Sequence, residues 1–369
     1  MKVPFLDLKI VPEEKEGLLS RISKVFSHGQ FIMGPEHDEL EQVLAEYVSR
    51  KYALAVGSGT DALYLTFKSL GVSFGDEVIT TPLSWIASTN AFAILGARPV
   101  FVDVREDLNI DPSEVAKLIT TETKAILAVD YAGLPCDYDA LQQIANEYNI
   151  PLVEDGSQAF GAEYKGIKVG RFGVASCVSL NPMKSLAACG EAGVIFTDND
   201  DLAESIKIAR YNGMLNKEIC VEPGVNARLD TLQAAILLER LPSMAAKLAK
   251  REDNASYYMQ ALQGCVDLPA QYNDRTNGRF LFLIGHSKRD LLLEYMLEAS
   301  IEVRVRDNVL ISQQPAYVHC KKGDLNVAEN RAKIKLAIPV SEALTPEARQ
   351  YVADKIIEFT NIYGPASMF

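Results

Sequence analysis

The sequence predicts an α/β fold: a mostly parallel, helix-covered sheet followed by a smaller C-terminal α/β domain. Three observations carry this reading. Seven short apolar runs lie between residues 52 and 197, helical patterns separate several of them, and a long helical stretch beyond residue 229 leads out of the alternation.

Two amphipathic helices are expected first, over residues 12–27 and 38–50, with Leu40, Val43, Leu44 and Tyr47 at helical spacing in the second. A loop from Gly29 to Pro35 separates them. Apolar runs at 52–56, 77–80, 99–104, 124–129, 151–154, 174–180 and 193–197 read as strands, with DALYLTFKSL (61–70) and DYDALQQIANEY (137–148) among the helices between them. Sheets of this kind take ligands beyond the carboxyl ends of their strands. The helical stretch at 229–263 is broken at Pro242, which sets a large domain over 1–240, N-terminal segment included, and a small one over 241–369. RFLFLIG (279–285), RDLLLEYMLEASI (289–301) and TPEARQYVADKIIEFTNIY (345–363) supply the elements of the second.

A chain of 369 residues suits that division, because single cores stop growing at roughly 250–300 residues. Apolar residues make up 48% and charged residues 23%, as in ordinary globular proteins. The formal charge is −12, from 37 basic and 49 acidic side chains. That balance disfavours nucleic acid and anionic membranes as partners, so a phosphorylated ligand has to be held locally, in a pocket. Six cysteines without a CxxC pair, four of them in apolar or loop contexts that read as buried free thiols, and four histidines without metal spacing point to a reducing cytoplasm and no structural metal. The N-terminus lacks the apolar core of a secretory signal, and no run reaches the ~20 apolar residues of a membrane span.

Asp155 closes the apolar run IPLVED, and Lys184 follows twenty-nine positions on, between two apolar runs. An acid there is a cap or a buried functional charge. An isolated lysine is ordinarily solvated surface, yet Lys184 is the only basic residue between Arg171 and Lys207, among Ser, Ala, Cys and Gly that leave room for a flat ring. Together the pair supplies what pyridoxal phosphate requires: an amine for a Schiff base with its aldehyde and a carboxylate for its pyridine nitrogen. Burial of the amine among such neighbours depresses its pKa. SGTDAL (Ser58 to Leu63) sets Ser58, Gly59 and Thr60 at a strand-to-helix turn, either an N-cap or an anion seat. Trp85, the single tryptophan, stands at a helix start as core or as a ring platform. Asn226 and Arg228 precede a helix that Asp230 can cap.

These segments, with GDEVITTPLSWIAST (75–89), GARPVFVDV (96–104), EDGSQ (154–158), the serine five before the lysine and VNARLDTLQAAIL (225–237), resemble the nucleotide-sugar aminotransferases of the DegT/DnrJ/EryC1/StrS family. The resemblance runs from PFLDL (4–8) to about residue 347. It implies a fold-type I pyridoxal phosphate transferase. Lys184 would then carry the cofactor, Asp155 would pair with its ring nitrogen and Gln158 would lie beside it. Gly59, Thr60 and Ser179, with Ser58 at the same turn, would hold its phosphate, and Trp85 would cover one ring face. Asn226 would reach a neighbour's phosphate across a homodimer. The implied reaction moves an amino group from L-glutamate to a nucleotide-linked keto-sugar in two half-reactions. VDYAG (129–133) and ITTPLSW (79–85) lean to amination at C4, with C3 as the alternative. A lyase or decarboxylase would share the acid and the lysine; family dehydratases carry histidine in place of the lysine; a regulatory protein on the same fold would usually lose it. Leu180 replaces an aromatic, Ala192 a glycine, and RVRDNVLISQQPAY (304–317) lacks the family's tyrosine and histidine, which leaves the substrate-side contacts open.

Overall fold

Two-sided burial builds the central sheet. Along Tyr52–Val56, Ala53 and Ala55 face one apolar layer with Leu40, Leu44, Phe196 and Leu237, while Leu54 and Val56 face another with Leu65, Phe67, Phe92 and Ile195. The same period of two continues in Gly193–Thr197, where Val194 and Phe196 join the first layer and Ile195 the second. Helices Gly59–Ser69 and Asp200–Ala209 cover one face, and Pro35–Val48 and Thr231–Arg240 the other.

This computed structural model describes residues 1–216 and 218–366. Across the seven-stranded sheet the order is Tyr52–Val56, Gly193–Thr197, Ala175–Ser179, Leu152–Asp155, Thr123–Val129, Glu77–Thr80 and Arg98–Phe101. All strands run the same way except Gly193–Thr197, which opposes both its neighbours. Parallel strands place their carboxyl ends on one edge, so Asp155, Ser179 and the turns after Val56 and Thr80 share it.

The helix expected from residue 38 begins at Pro35, whose missing N–H costs nothing in a first turn, and ends at Ser49 in the left-handed region. At Pro242 the chain passes through a short 3-10 turn, Leu241–Ser243, between Thr231–Arg240 and Met244–Ala261. Beyond it, Phe282–Gly285 pairs antiparallel with Lys335–Ile338. Helices Met244–Ala261, Arg289–Glu298 and Pro346–Tyr363 enclose a separate core of Tyr258, Phe282, Met296, Leu336, Ile356 and Phe359. Val3 belongs to this core, bridged to Ile301, so the first residues of the chain pack on the C-terminal unit. Of the six free thiols only Cys136 and Cys177 are buried. Cys189 and Cys220 are exposed, because their loop and hairpin turn them outward. No helix among the described residues is long and apolar enough to cross a membrane.

Candidate active site

Asp155 ends a strand flanked on both sides by parallel neighbours, so its carboxylate emerges at the middle of the carboxyl edge, 4% exposed. Its Oδ2 accepts from the Ser88 hydroxyl at 2.7 Å, and Ser84 lies 2.9 Å from that hydroxyl. Its Oδ1 accepts from the Ser157 N–H at 3.2 Å. Two donors fix the plane of a buried carboxylate and offset the cost of its desolvation. The serine relay was not among the sequence-predicted residues. Its signal was the i, i+4 spacing of Ser84 and Ser88.

Lys184 sits on the loop joining Ala175–Ser179 to Gly193–Thr197. The loop base is closed by Leu180 N–H to Ala192 O at 2.8 Å and Ala188 N–H to Leu180 O at 2.7 Å. Leu180 and Ala192, two of the three departures from the family pattern, are buried here in one apolar layer. The loop is further tied to helix Thr231–Arg240, through Arg240 to Ala187 O at 2.6 Å and through Gln233 to the Cys189 N–H at 2.9 Å. The lysine ammonium lies 4.5 Å from the ring centre of Phe280. Its pKa is lowered to about 8, first by burial; Asp155 and Glu191 pull it upward and Arg306 pushes it down. At pH 7.5 roughly a quarter of such an amine is neutral, against about one in a thousand for an ordinary lysine. Lys184 is therefore a competent nucleophile, and it lies within reach of the Asp155 charge. Phe280 comes from the C-terminal unit and carried no sequence signal.

The turn after Tyr52–Val56 meets Ser179. A Cβ on Gly59 would stand 2.5 Å from the Ser179 Cβ, and one on Gly193 would stand 2.3 Å from the Ser58 carbonyl oxygen. Ser58, Gly59 and Ser179 are thus brought together, with Thr60 next in the first turn of Gly59–Ser69. The N–H groups of Gly59 and Thr60 have no partner within a helix at that position, and the helix dipole adds to their pull on an anion. Ser58 is engaged otherwise: it accepts from Asp61 N–H at 3.0 Å and donates to the Asp61 carboxylate at 2.9 Å. Its hydroxyl acts as the N-cap of that helix. Ser179 is fixed by its N–H, which donates to Ser157 Oγ at 2.9 Å.

Trp85 is 63% exposed, one helical turn before Ser88, so it is not a core residue. Gln158 is buried and accepts from Ala132 N–H at 2.9 Å, holding a turn in which Ala132 has φ 58°. Asn226 is exposed; its Oδ1 accepts from Arg228 Nε at 2.8 Å, and the Arg228 guanidinium lies 4.6 Å from the ring centre of Tyr211. Asp230 takes the N-cap position of the following helix without a side-chain capping bond. Trp85 and Asn226 are the two predicted site residues that the chain's own contacts leave at the surface.

The model of the DegT/DnrJ/EryC1/StrS aminotransferase family matches residues 12–357. A UDP-2-acetamido-2-deoxy-3-oxo-D-glucuronate aminotransferase of Pseudomonas aeruginosa is 36% identical over 341 residues, 92% of this chain and 95% of that protein. Among solved structures, S. venezuelae DesV in complex with a ketimine intermediate matches with a TM-score of 0.94 at 34% identity, covering 97% of this chain and 98% of that one. NtdA from Bacillus subtilis with bound cofactor PMP matches with a TM-score of 0.89 at 30% identity, covering 98% and 85%.

A lysine of lowered pKa and a braced carboxylate on the carboxyl edge of a parallel sheet, in a chain with these relatives, define an aminotransferase that uses pyridoxal phosphate. More narrowly, the chain belongs to the DegT/DnrJ/EryC1/StrS aminotransferase family. The residues present fit the cofactor: the amine and carboxylate are free of ion pairs among the described residues, and the Gly59 turn offers unpartnered N–H groups at a point where any side chain would intrude.

Proposed function

We propose that this enzyme moves an amino group from L-glutamate to a keto group of a nucleotide-linked sugar, in two half-reactions at one site. The observation that carries the proposal is the Lys184 amine, held near pKa 8 within the field of a carboxylate that two donors lock in place. Pyridoxal phosphate, when bound, supplies an electron-withdrawing ring that stores the amino group between the half-reactions. Lys184 is assigned to hold the cofactor and then to move a proton at the substrate carbon as general base. Asp155 is assigned to the ring nitrogen, with Ser88 and Ser157 keeping it in plane. Gly59, Thr60 and Ser179 seat the phosphate, Ser58 orders their turn, Gln158 borders the ring and Trp85 covers it.

The keto-sugar is supported by the P. aeruginosa relative, whose name specifies a UDP-linked 3-oxo sugar. C3 is accordingly the first position to assay, and C4, to which VDYAG and ITTPLSW lean, the second. We also infer a homodimer in which Asn226 meets the other copy's cofactor phosphate. Asn226 is exposed, and Phe26, Phe31 and Ile32 form an exposed apolar group in which the two phenylalanine rings lie 6.3 Å apart. Two buried free thiols, Cys136 and Cys177, suit a reducing cytoplasm.

The test is spectroscopic and chemical. Purified protein should be yellow, change its absorbance with glutamate, and recover it with a nucleotide keto-sugar, the new nitrogen being placed by NMR. A Lys184→Ala variant with full turnover would end the reading.

A further inference from the structure

Two arginines of the segment that departs from the family pattern line a crevice next to the lysine. The crevice is lined by Phe5, Met183, Phe280, Arg251, Arg304 and Arg306 and opens beside Lys184, with Phe280 as the shared wall. Its three arginines differ in what occupies them. Arg251 pairs with Glu342 at 2.7 Å, and Arg304 is exposed with its guanidinium 5.1 Å from the ring centre of Phe5. Arg306 is half-buried and has neither an ion pair nor a side-chain hydrogen bond among the described residues. Its position is nonetheless fixed. The neighbouring Asp307, at φ 50°, accepts from the Tyr131 hydroxyl at 2.7 Å, and that hydroxyl accepts from the buried Lys335 ammonium at 2.9 Å.

A half-buried guanidinium without an anion gives up part of its hydration with no partner in return. Here it is kept beside two more cations, Lys184 and Lys335, whose pKa values it helps to lower. Asp155 and Asp307 supply opposing charge nearby, but neither forms an ion pair with Arg306 among the described residues. We propose that Arg306 binds a carboxylate of the substrate whose carbon is being aminated or deaminated at Lys184, and so selects carboxylate-bearing substrates. A planar guanidinium grips a carboxylate through two parallel N–H bonds, which fixes orientation as well as affinity. The carboxylate can belong to the amino donor or to a uronic-acid sugar; the chemistry is one, and the two half-reactions separate them. Asp307, Tyr131 and Lys335 are positioning residues for the guanidinium. This inference rests on the proposed amino transfer.

The experiment compares wild type, Arg306→Gln and Arg306→Lys as holoenzymes. Glutarate, a dicarboxylate without an amine to transfer, is titrated by calorimetry. Each half-reaction is then followed with glutamate, with a nucleotide 3-oxo-uronate and with its neutral 6-deoxy counterpart. Arg306→Gln should raise KM for glutamate, for the uronate, or for both by about 10–100-fold with a smaller change in kcat. Glutarate binding should fall in step, KM for the neutral sugar should hold, and Arg306→Lys should recover part of the loss. A donor-only or uronate-only effect identifies the source of the carboxylate. If wild type transfers amine while Arg306→Gln leaves both KM values and the glutarate affinity unchanged, the assignment of Arg306 is overturned and the function stands. If wild type transfers no amine to any acceptor, it is the proposed function that fails.

Discussion

Gly59→Ala asks whether the turn after the first strand seats a phosphate. The new Cβ would stand 2.5 Å from the Ser179 Cβ and 2.9 Å from its Cα, whereas carbon atoms settle about 3.5–4.0 Å apart. Ser179 is anchored through its N–H and the sheet, so the turn must retreat by about 1 Å. Hydrogen bonds to an anion span roughly 2.7–3.2 Å, and such a retreat forfeits those offered by Gly59 and Thr60. At about 1.5–3 kcal/mol for each bond to a charged group, the loss is about 3–6 kcal/mol, at least a hundredfold in affinity at roughly 1.4 kcal/mol per tenfold. The assay is an absorbance titration of cofactor-free protein with pyridoxal phosphate and, in parallel, with pyridoxal, which has no phosphate. The variant should lose affinity for the first and change little for the second. Equal pyridoxal phosphate affinity in both proteins, or an equal loss for both ligands, would refute the phosphate seat.

Three further outcomes follow from the same geometry. With the Lys184 amine near 8 instead of its ordinary 10.5, the rate of pyridoxal phosphate uptake by cofactor-free protein should climb through about pH 8; a climb only near 10.5 would mean the amine is solvated. Because the unfolded chain then binds more protons between those values, cofactor-free stability should rise with pH across that window. Ser88→Ala leaves the buried Asp155 Oδ2 without its donor, which should cost about 1–3 kcal/mol of stability and lower kcat more than it raises donor KM; an unchanged melting temperature and kcat would remove Ser88 from the site. Glu154 is fully buried and its carboxyl is raised from 4.5 to about 7, chiefly by burial. The native state therefore holds the extra proton, and stability from this group falls as pH rises from about 4.5 to 7. Glu154→Gln should gain melting temperature relative to wild type as pH goes from 5 to 8, and a constant difference would contradict the burial effect.

Most of the sheet was legible because each strand is apolar on both faces and bounded by turn residues, which needs no knowledge of partners. The strand Lys335–Ile338 was not, since it opens on a lysine and follows the helix Asn326–Ile334 with no Gly or Pro between them. Lys184 and Asp155 stood out as charges in apolar surroundings. Phe280 and the Ser88 contact did not, because they depend on which distant segments the fold brings to the carboxyl edge. The thiols show the reverse error: Cys189 has apolar neighbours in sequence, and Leu186 and Ala188 beside it are buried, but Cys189 itself is exposed. Val3 packs on the C-terminal unit through its bridge to Ile301, a contact between segments far apart in the chain that no local pattern encodes.

The one strand that runs against the others has a mechanical consequence. Ser179 and Gly193 face each other in register, so the segment bearing Lys184 leaves and re-enters the sheet at adjacent rungs and is pinned in between to a helix. Its main chain has little slack to swing. In the role proposed for it, the amine's travel would come from rotation about its own four methylenes, and lengthening this arch by a residue would shift the amine itself.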